Sequence, residues 1–297
     1  MLSLTCGKAA QNRMVDVTED KPEPGETHER QAGPWRGDGG RADDKARADA
    51  GYEADPNREG AADAWPQERA QREPAFNLPP VLLWILGVLI VIHAVRLYLL
   101  TPETDEWLVF TFAFLPLRYV YPLAEQGLAW AWMPITYSLL HGGWDHVLFN
   151  AFWMIAFGAP VVRRIGTARL LIFWCAASAS AAALHAATNW GDATVVIGAS
   201  GVVSAFMGAA ARFVFSADGS IRRDIAHLNQ RQTIAEALSN RSVLFFVGVW
   251  VAMNVVTGTG LLPLAGGQSI AWQAHIGGFL FGFLAFPLFD TVPRRRR

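Results

Sequence analysis

From residue 79 onward the chain consists of long apolar stretches separated by short polar segments. A helix needs roughly 20 apolar residues to cross a bilayer, so this pattern predicts membrane-spanning helices. Several stretches are short or rich in Gly and Ala, which is typical of helices that pack closely inside a bundle. Six spans are predicted, at about residues 81–100, 146–162, 168–187, 198–216, 242–258 and 271–290.

The first 78 residues have a different pattern, in which charged residues alternate with Gly, Pro and Ala without a hydrophobic period. They hold 11 of the 25 Lys and Arg residues and 16 of the 26 Asp and Glu residues. Such a segment buries too little apolar surface to offset the entropy lost on ordering, so we expect a disordered tail. The predicted organisation is a charged tail at 1–78, a membrane domain at 79–293 and a basic C-terminus at 294–297.

The positive charges between the spans predict how the domain is oriented. Arginines cluster after spans 2 and 4 and at the C-terminus, whereas the alternate loops are nearly free of positive charge. Because cytoplasmic loops carry the excess of Lys and Arg, six spans with both termini in the cytoplasm satisfy every loop. We therefore expect a multi-pass protein of a plasma membrane, such as the bacterial inner membrane.

Composition excludes several other classes of protein. Only 17% of the residues are charged, against about 25% in typical soluble domains, and no basic surface suited to nucleic acid is present. The two cysteines, Cys6 and Cys175, exclude a disulfide scaffold and a cysteine-based zinc site. Cys175 lies in an apolar run and is expected to be buried.

Two long segments between spans are predicted to be structured. Residues 101–145 are rich in aromatic side chains, so we expect a folded outer loop that lies partly in the membrane plane. Residues 217–241 predict an amphipathic helix on the cytoplasmic face, because apolar residues at helical spacing alternate there with charges. These apolar residues are Ile221, Ile225, Leu228 and Leu238.

Three groups of polar residues lie in or near the predicted spans, where such residues are costly and indicate function. Ser200 lies between small residues at the start of span 4, where free backbone N–H groups can stabilise an oxyanion. His275 lies in span 6, and His146 and Asn150 share one face at the start of span 2. Each group alone also fits a structural role, in helix packing, a buried histidine or a helix cap.

Together the three groups predict nucleophilic catalysis. A serine hydroxyl becomes a nucleophile when a neighbouring base accepts its proton, and His275 can supply that base. The side chains of His146 and Asn150 can complete an oxyanion pocket. Because no Asp or Glu lies near His275 in the sequence, the arrangement would be a Ser–His dyad rather than a triad.

The order and spacing of these residues resemble the rhomboid family of intramembrane serine proteases. The resemblance covers roughly residues 81–290 and leaves the charged tail outside. It rests on three motifs in the order of the chain: His141-x4-His146-x3-Asn150, Gly198-x-Ser200-Gly201 and Ala274-His275-x2-Gly278-x3-Gly282.

The resemblance implies an all-α, six-span rhomboid-like bundle in which Ser200 attacks the scissile carbonyl and His275 acts as general base and then as acid. The backbone N–H of Ser200 and the side chains of His146 and Asn150 would bind the oxyanion. His141 would shape the outer-loop end of span 2, and Gly198, Gly201, Gly278 and Gly282 would support the site. Substrates would be single-span membrane proteins, cut in or near the membrane, and no metal or cofactor is implied.

Two departures from the family pattern leave questions for the structure. Many relatives carry a Trp-Arg pair in the first loop, whereas this chain has Trp132 followed by Met133, so the anchoring of the loop is open. Many also carry an aromatic residue four positions after the nucleophile, where this chain has Ser204. His275 would then need a hydrogen bond or another ring for support.

Three alternatives remain open at this point. An inactive relative would bind membrane clients without cutting them, and a transporter or channel would use the polar groups to line a path. A zinc site could use the histidines with Asp145, although no HExxH pattern is present. Two further polar residues have simpler interpretations: Asn254 in span 5 predicts a hydrogen bond between helices, and Arg96 in span 1 faces the bundle or extends to the membrane surface.

Overall fold

The computed structural model describes residues 78–215, 221, 225–258 and 270–292. All of them belong to one compact unit, which lies within residues 72–297. The predicted disordered tail up to residue 77 and the basic C-terminus at 294–297 lie outside the described residues. The described residues form helices and turns with two isolated β-bridges and no strand, which confirms the prediction of an all-α protein.

The described part of the chain contains nine α-helices. In chain order they are α1 (Pro80–Tyr98), α2 (Pro102–Phe112), α3 (Ala129–Thr136), α4 (Trp144–Trp153), α5 (Ala159–Thr188), α6 (Ser200–Ala210), α7 (Ile234–Ser239), α8 (Arg241–Gly258) and α9 (Trp272–Ala285). A π-helical turn at Met154–Gly158 joins α4 to α5. Short 3-10 helices lie at Pro116–Tyr119, Leu123–Glu125, Tyr137–Leu139, Ala226–Leu228 and Phe286–Leu288.

Three helical stretches of the described residues are long and apolar enough to cross a membrane: Pro80–Tyr98, Trp144–Thr188 and Arg241–Gly258. The second is 45 residues long, but Gly166 interrupts it with φ of 77° and ψ of 171°. This non-helical residue lies between predicted spans 2 and 3. Helices α6 and α9 are shorter, with 11 and 14 residues, so the count of six spans stays a prediction.

Helix α6 lies in the core of the fold. Every residue from Gly201 to Ala210 is buried, and α5 and α9 pack against it. The ring of Phe206 stacks on that of Phe173 from α5, with ring centroids 5.7 Å apart. A helix so enclosed by protein can be short and rich in small residues, because it meets neighbouring helices rather than lipid.

Helix α8 lies at the edge of the bundle. Its residues Phe245, Val249 and Met253 are exposed, as expected of a surface that faces lipid tails. On its inner side, Trp250 stacks on Phe279 of α9 with ring centroids 4.4 Å apart. Asn254, one turn further along, is buried.

The predicted outer loop is folded, and its anchoring differs from a Trp-Arg pair. The indole N–H of Trp132 donates to the carbonyl of Thr111 at 3.1 Å. The guanidinium of Arg96 on α1 pairs with Asp105 of α2 at 2.6 Å and donates to the carbonyl of His141 at 2.9 Å. Arg96 thus faces the protein and ties α1 to both ends of the outer loop.

Two sequence predictions differ from the structure in the described residues. The segment 217–241, predicted as an amphipathic helix, is not one continuous helix: of its described residues, Ala226–Leu228 form a 3-10 turn and Ile234–Ser239 form α7, with non-helical residues between them. Asn229 donates to the carbonyl of Phe213 and Gln232 donates its backbone N–H to Arg212, so this segment folds against the end of α6. Cys175 is exposed rather than buried, as are Leu171 and Ile172 on the same helix.

Candidate active site

The candidate nucleophile Ser200 is the first residue of α6. The approach to it depends on Gly198, whose φ of 118° lies in a region that favours glycine. A Cβ at Gly198 would meet Cε1 and Nε2 of His146 at 2.7 Å, with Ser200 Oγ 3.8 Å away. Both the positive φ and the close His146 ring therefore disfavour any side chain at position 198. The His146 ring lies against the turn that precedes Ser200.

The structure brings Ser200 and His275 together. The distance from Ser200 Oγ to His275 Nε2 is 2.8 Å, which is within hydrogen-bond range for a nucleophile and its base. This contact depends on a close approach of α6 and α9. A Cβ at Gly278 would collide with the carbonyl of Gly201, and a Cβ at Gly282 would collide with the carbonyl of Ala205.

The other ring nitrogen of His275 has a partner on α8. Its Nδ1 lies 2.8 Å from Oδ1 of Asn254, and Nδ2 of Asn254 donates to the carbonyl of Trp250 at 2.8 Å. The prediction that Asn254 makes a hydrogen bond between helices is confirmed. An amide oxygen only accepts, so Nδ1 carries the imidazole proton and Nε2 is free to accept from Ser200.

His146 and Asn150 lie one turn apart on α4, on the side of the site next to Gly198. Nδ1 of His146 accepts from the backbone N–H of Gly142 at 3.5 Å, so in the neutral ring Nε2 is the donor. Asn150 is buried, and one N–H of its amide donates to the carbonyl of His146 at 3.0 Å. The donor nitrogen of His146 therefore lies beside the turn that leads to Ser200.

His141 supports the turn before the serine. It is 1% exposed, its Nε2 accepts from the backbone N–H of Ala199 at 3.4 Å, and its ring contacts that of His146 edge to face. The pKa of His141 is lowered to about 3, chiefly by burial; repulsion from His146, His93 and Arg96 contributes to this lowering, and the hydrogen bond to the Leu139 backbone opposes it. The neutral ring that this pKa implies is the form that can accept from Ala199.

Within the described ranges, no group of three or more His, Cys, Asp or Glu side chains could hold a metal ion. Asp145 lies on the same turn as His146 without completing such a group. The arrangement around Ser200 is one of hydrogen-bond donors and acceptors.

Sequence reasoning missed the contact between Asn254 and His275. The sequence does carry a signal, because an amide in an otherwise apolar span is costly and indicates function. It does not give the partner, since the two residues lie 21 positions apart on different helices. Ser204 is buried, and no aromatic ring of the described residues stacks on His275.

Comparison with known proteins decides the family. The profile of the Rhomboid domain matches residues 129–290, which is more than half of the chain and includes every residue of the candidate site. The chain belongs to the rhomboid family. The resemblance given by the three ordered motifs is thereby confirmed.

The chain is similar in sequence to several bacterial proteins of this family. The chain is 31% identical over 160 residues to Rhomboid protease GlpG of Pectobacterium atrosepticum, covering 54% of this chain and 48% of that one. It is 33% identical over 164 residues to Rhomboid protease GlpG of Haemophilus influenzae, covering 55% and 72%. Over 203 residues it is 24% identical to Rhomboid protease GlpG of Yersinia pestis, covering 67% and 60%. The chain thus spans about half the length of the first of these rhomboids.

Proposed function

We propose that this rhomboid-family chain is an intramembrane serine endopeptidase in which Ser200 is the nucleophile and His275 the general base. One observation carries the proposal: Ser200 Oγ lies 2.8 Å from His275 Nε2. The nitrogen that faces the serine lacks a proton, because the other ring nitrogen holds it against Asn254. A hydroxyl next to an unprotonated imidazole is the arrangement that general-base catalysis needs.

The reaction runs in two halves on these groups. Nε2 of His275 takes the hydroxyl proton while Ser200 Oγ bonds to the scissile carbonyl carbon, and the carbonyl oxygen becomes an oxyanion. The carbon–nitrogen bond then breaks, and the amine leaves with the proton from Nε2. In the second half, water bonds to the acyl carbonyl carbon while Nε2 takes one of its protons. The bond between that carbon and Ser200 Oγ then breaks, Nε2 returns the proton to Oγ, and the carboxyl product leaves.

The oxyanion is stabilised by donors on two elements. The backbone N–H of Ser200 opens α6, where N–H groups lack partners within the helix. His146 donates from Nε2, and the Asn150 amide has a second N–H besides the one given to the carbonyl of His146. Donors fixed in a water-poor site need no reorganisation when the charge develops, so each is worth a large factor in rate.

Six spans with both termini in the cytoplasm of a bacterial inner membrane form the proposed topology. The interruption at Gly166 supports two spans within Trp144–Thr188, and α1, α6, α8 and α9 supply the other four. Arg164, next to this interruption, donates to the carbonyls of His227 and Asn229 in the segment after α6, which supports two arginine-bearing loops on the same, cytoplasmic side.

The proposed substrates are single-span membrane proteins cut in or near their transmembrane segment. Peptide bonds in a regular helix are shielded by their own hydrogen bonds, so the substrate must unwind locally to reach Ser200. Residues that weaken helices, such as Gly and Pro, are expected near the cleaved bond.

Cleavage of a single-span reporter by the purified full chain in lipid vesicles tests this function. The wild-type protein is compared with Ser200→Ala, His275→Ala and the control Ser239→Ala, which loses only a hydroxyl bonded within α7. We expect cleavage by the wild type and the control and none by the other two variants. Cleavage by Ser200→Ala at the wild-type rate would contradict the proposal. A folded wild-type protein that binds the reporter without cutting it would also contradict it and would favour a relative that does not cleave.

A further inference from the structure

Resting on the function proposed above, we infer that Asn254 is a positioning residue that completes a Ser200–His275–Asn254 triad. The sequence predicts only a dyad, because no carboxylate lies near His275. The structure places a neutral amide oxygen where a triad carboxylate would stand, 2.8 Å from Nδ1 of His275. The third member of this site is thus supplied by α8.

The amide can hold only one orientation. Nδ2 of Asn254 donates to the carbonyl of Trp250 at 2.8 Å, and rotating the amide by half a turn would place two oxygens against each other there. The same rotation would direct an N–H at Nδ1 of His275 and force the ring proton onto Nε2. The ring could then no longer accept from Ser200, so the Trp250 carbonyl selects the reactive tautomer through Asn254.

Ser204 makes this support necessary. In the described residues no aromatic ring stacks on His275, and Ser204 is too short to pack as a ring would. His275 has hydrogen bonds at both ring nitrogens, one to α6 and one to α8. Without Asn254 the ring would be held at Nε2 alone and could turn away from the serine.

The position of α8 therefore bears on the chemistry as well as on packing. The outer surface of α8 is exposed, and its inner side meets α9 through Trp250 on Phe279 and through Asn254 on His275. The two contacts lie one helical turn apart. The stacked rings hold the turn from which the Asn254 amide reaches the imidazole.

The test compares Asn254→Leu, which has similar size and no acceptor, with Asn254→Asp, which keeps an acceptor at Nδ1. Thr257→Val is the matched control, since the Thr257 hydroxyl donates to carbonyls of its own helix. All are measured in vesicles for kcat and KM on the single-span reporter. Asn254→Ala replaces the Leu variant should that protein not fold.

We expect Asn254→Leu to lower kcat by about tenfold to a hundredfold, since part of the general-base contribution is lost, with KM within about twofold. Asn254→Asp should recover part of that loss, because it keeps an acceptor at Nδ1 but faces the Trp250 carbonyl with an oxygen, and Thr257→Val should match the wild type. Wild-type kcat in Asn254→Leu, or equal losses in the Asp and Leu variants, would overturn the triad while leaving the proposed function intact. Undiminished cleavage by Ser200→Ala would instead refute the proposed function and the triad with it.

Discussion

Gly278 lies directly over the backbone of Gly201, and this contact places His275 beside Ser200. The histidine lies one turn before Gly278 on α9, and the serine lies immediately before Gly201 on α6. A Cβ at Gly278 would collide with the Gly201 carbonyl. The distance between nucleophile and base is therefore set by the absence of a side chain at the crossing of the two helices.

Gly278→Ala should separate α6 from α9 and reduce both stability and activity. Overpacking against rigid backbone costs typically 1–3 kcal/mol and occasionally more, and a shift of about 1 Å at a catalytic pair costs on the order of 10²-fold in rate. Thermal unfolding in detergent and reporter cleavage measure the two effects. Gly248→Ala is the control, because a Cβ there has no atom within 4 Å. Equal behaviour of the two variants would show that the close approach is not needed.

Asn150→Ala should lower kcat without unfolding the protein. The loss of one oxyanion donor typically costs about 10²- to 10³-fold, and the remaining donors leave a measurable rate. Cleavage kinetics of the variant and the wild type check this prediction. An unchanged kcat would remove Asn150 from the oxyanion pocket and leave the backbone N–H of Ser200 and His146 to bind the charge.

Arg96→Met should weaken the anchoring of the outer loop. The substitution removes the pair with Asp105 and the hydrogen bond to the His141 carbonyl. A partly exposed ion pair contributes little to stability, but the buried carbonyl of His141 would lose its hydrogen-bond donor. We therefore expect the free energy of unfolding to fall by about 1–2 kcal/mol. Thermal unfolding should show no such loss for Glu106→Ala, an exposed charge on the same helix as Asp105. Unaltered stability of Arg96→Met would contradict this anchor.

The stability of the protein should fall with decreasing pH because His141 is buried. Burial lowers its pKa to about 3, whereas an unfolded chain protonates the same ring near pH 6.5. Between these values the unfolded state binds a proton that the folded state does not. This group therefore removes up to about 1.4 kcal/mol per pH unit as the pH falls from about 6.5 toward 3, and has no effect above that window. Thermal unfolding of His141→Gln should depend less on pH over this range, and an identical dependence in both proteins would contradict the assignment.

Much of the site follows from local sequence. The glycine at 198 indicates a tight turn, and the glycines at 201 and 278 indicate a close helix crossing, since side chains are disfavoured in both. A hydroxyl and an imidazole within apolar spans indicate a functional site, because such groups are costly in a membrane. The family membership shown by the comparison agrees with the reading of these residues.

The features that could not be predicted from the sequence are contacts between residues far apart in the chain. Asn254 is visible as an unusual amide, but its partner on α9 is set by how α8 packs. Within the amphipathic pattern predicted at 217–241, hydrogen bonds from Asn229 and Gln232 to the residues after α6 interrupt the helix, which forms as α7 only from Ile234. Arg96 ties the outer loop to α1 through Asp105 and the His141 carbonyl, which no local pattern reveals.

Reaction with a fluorophosphonate tests the central claim most directly. The reagent forms a covalent bond with a serine hydroxyl only when a base activates it, and mass spectrometry of the labelled chain identifies the residue. We predict one adduct, on Ser200, which is absent from Ser200→Ala and much slower to form in His275→Ala. A folded wild-type protein that acquires no adduct, or one that acquires it at another serine, would contradict the proposed nucleophile.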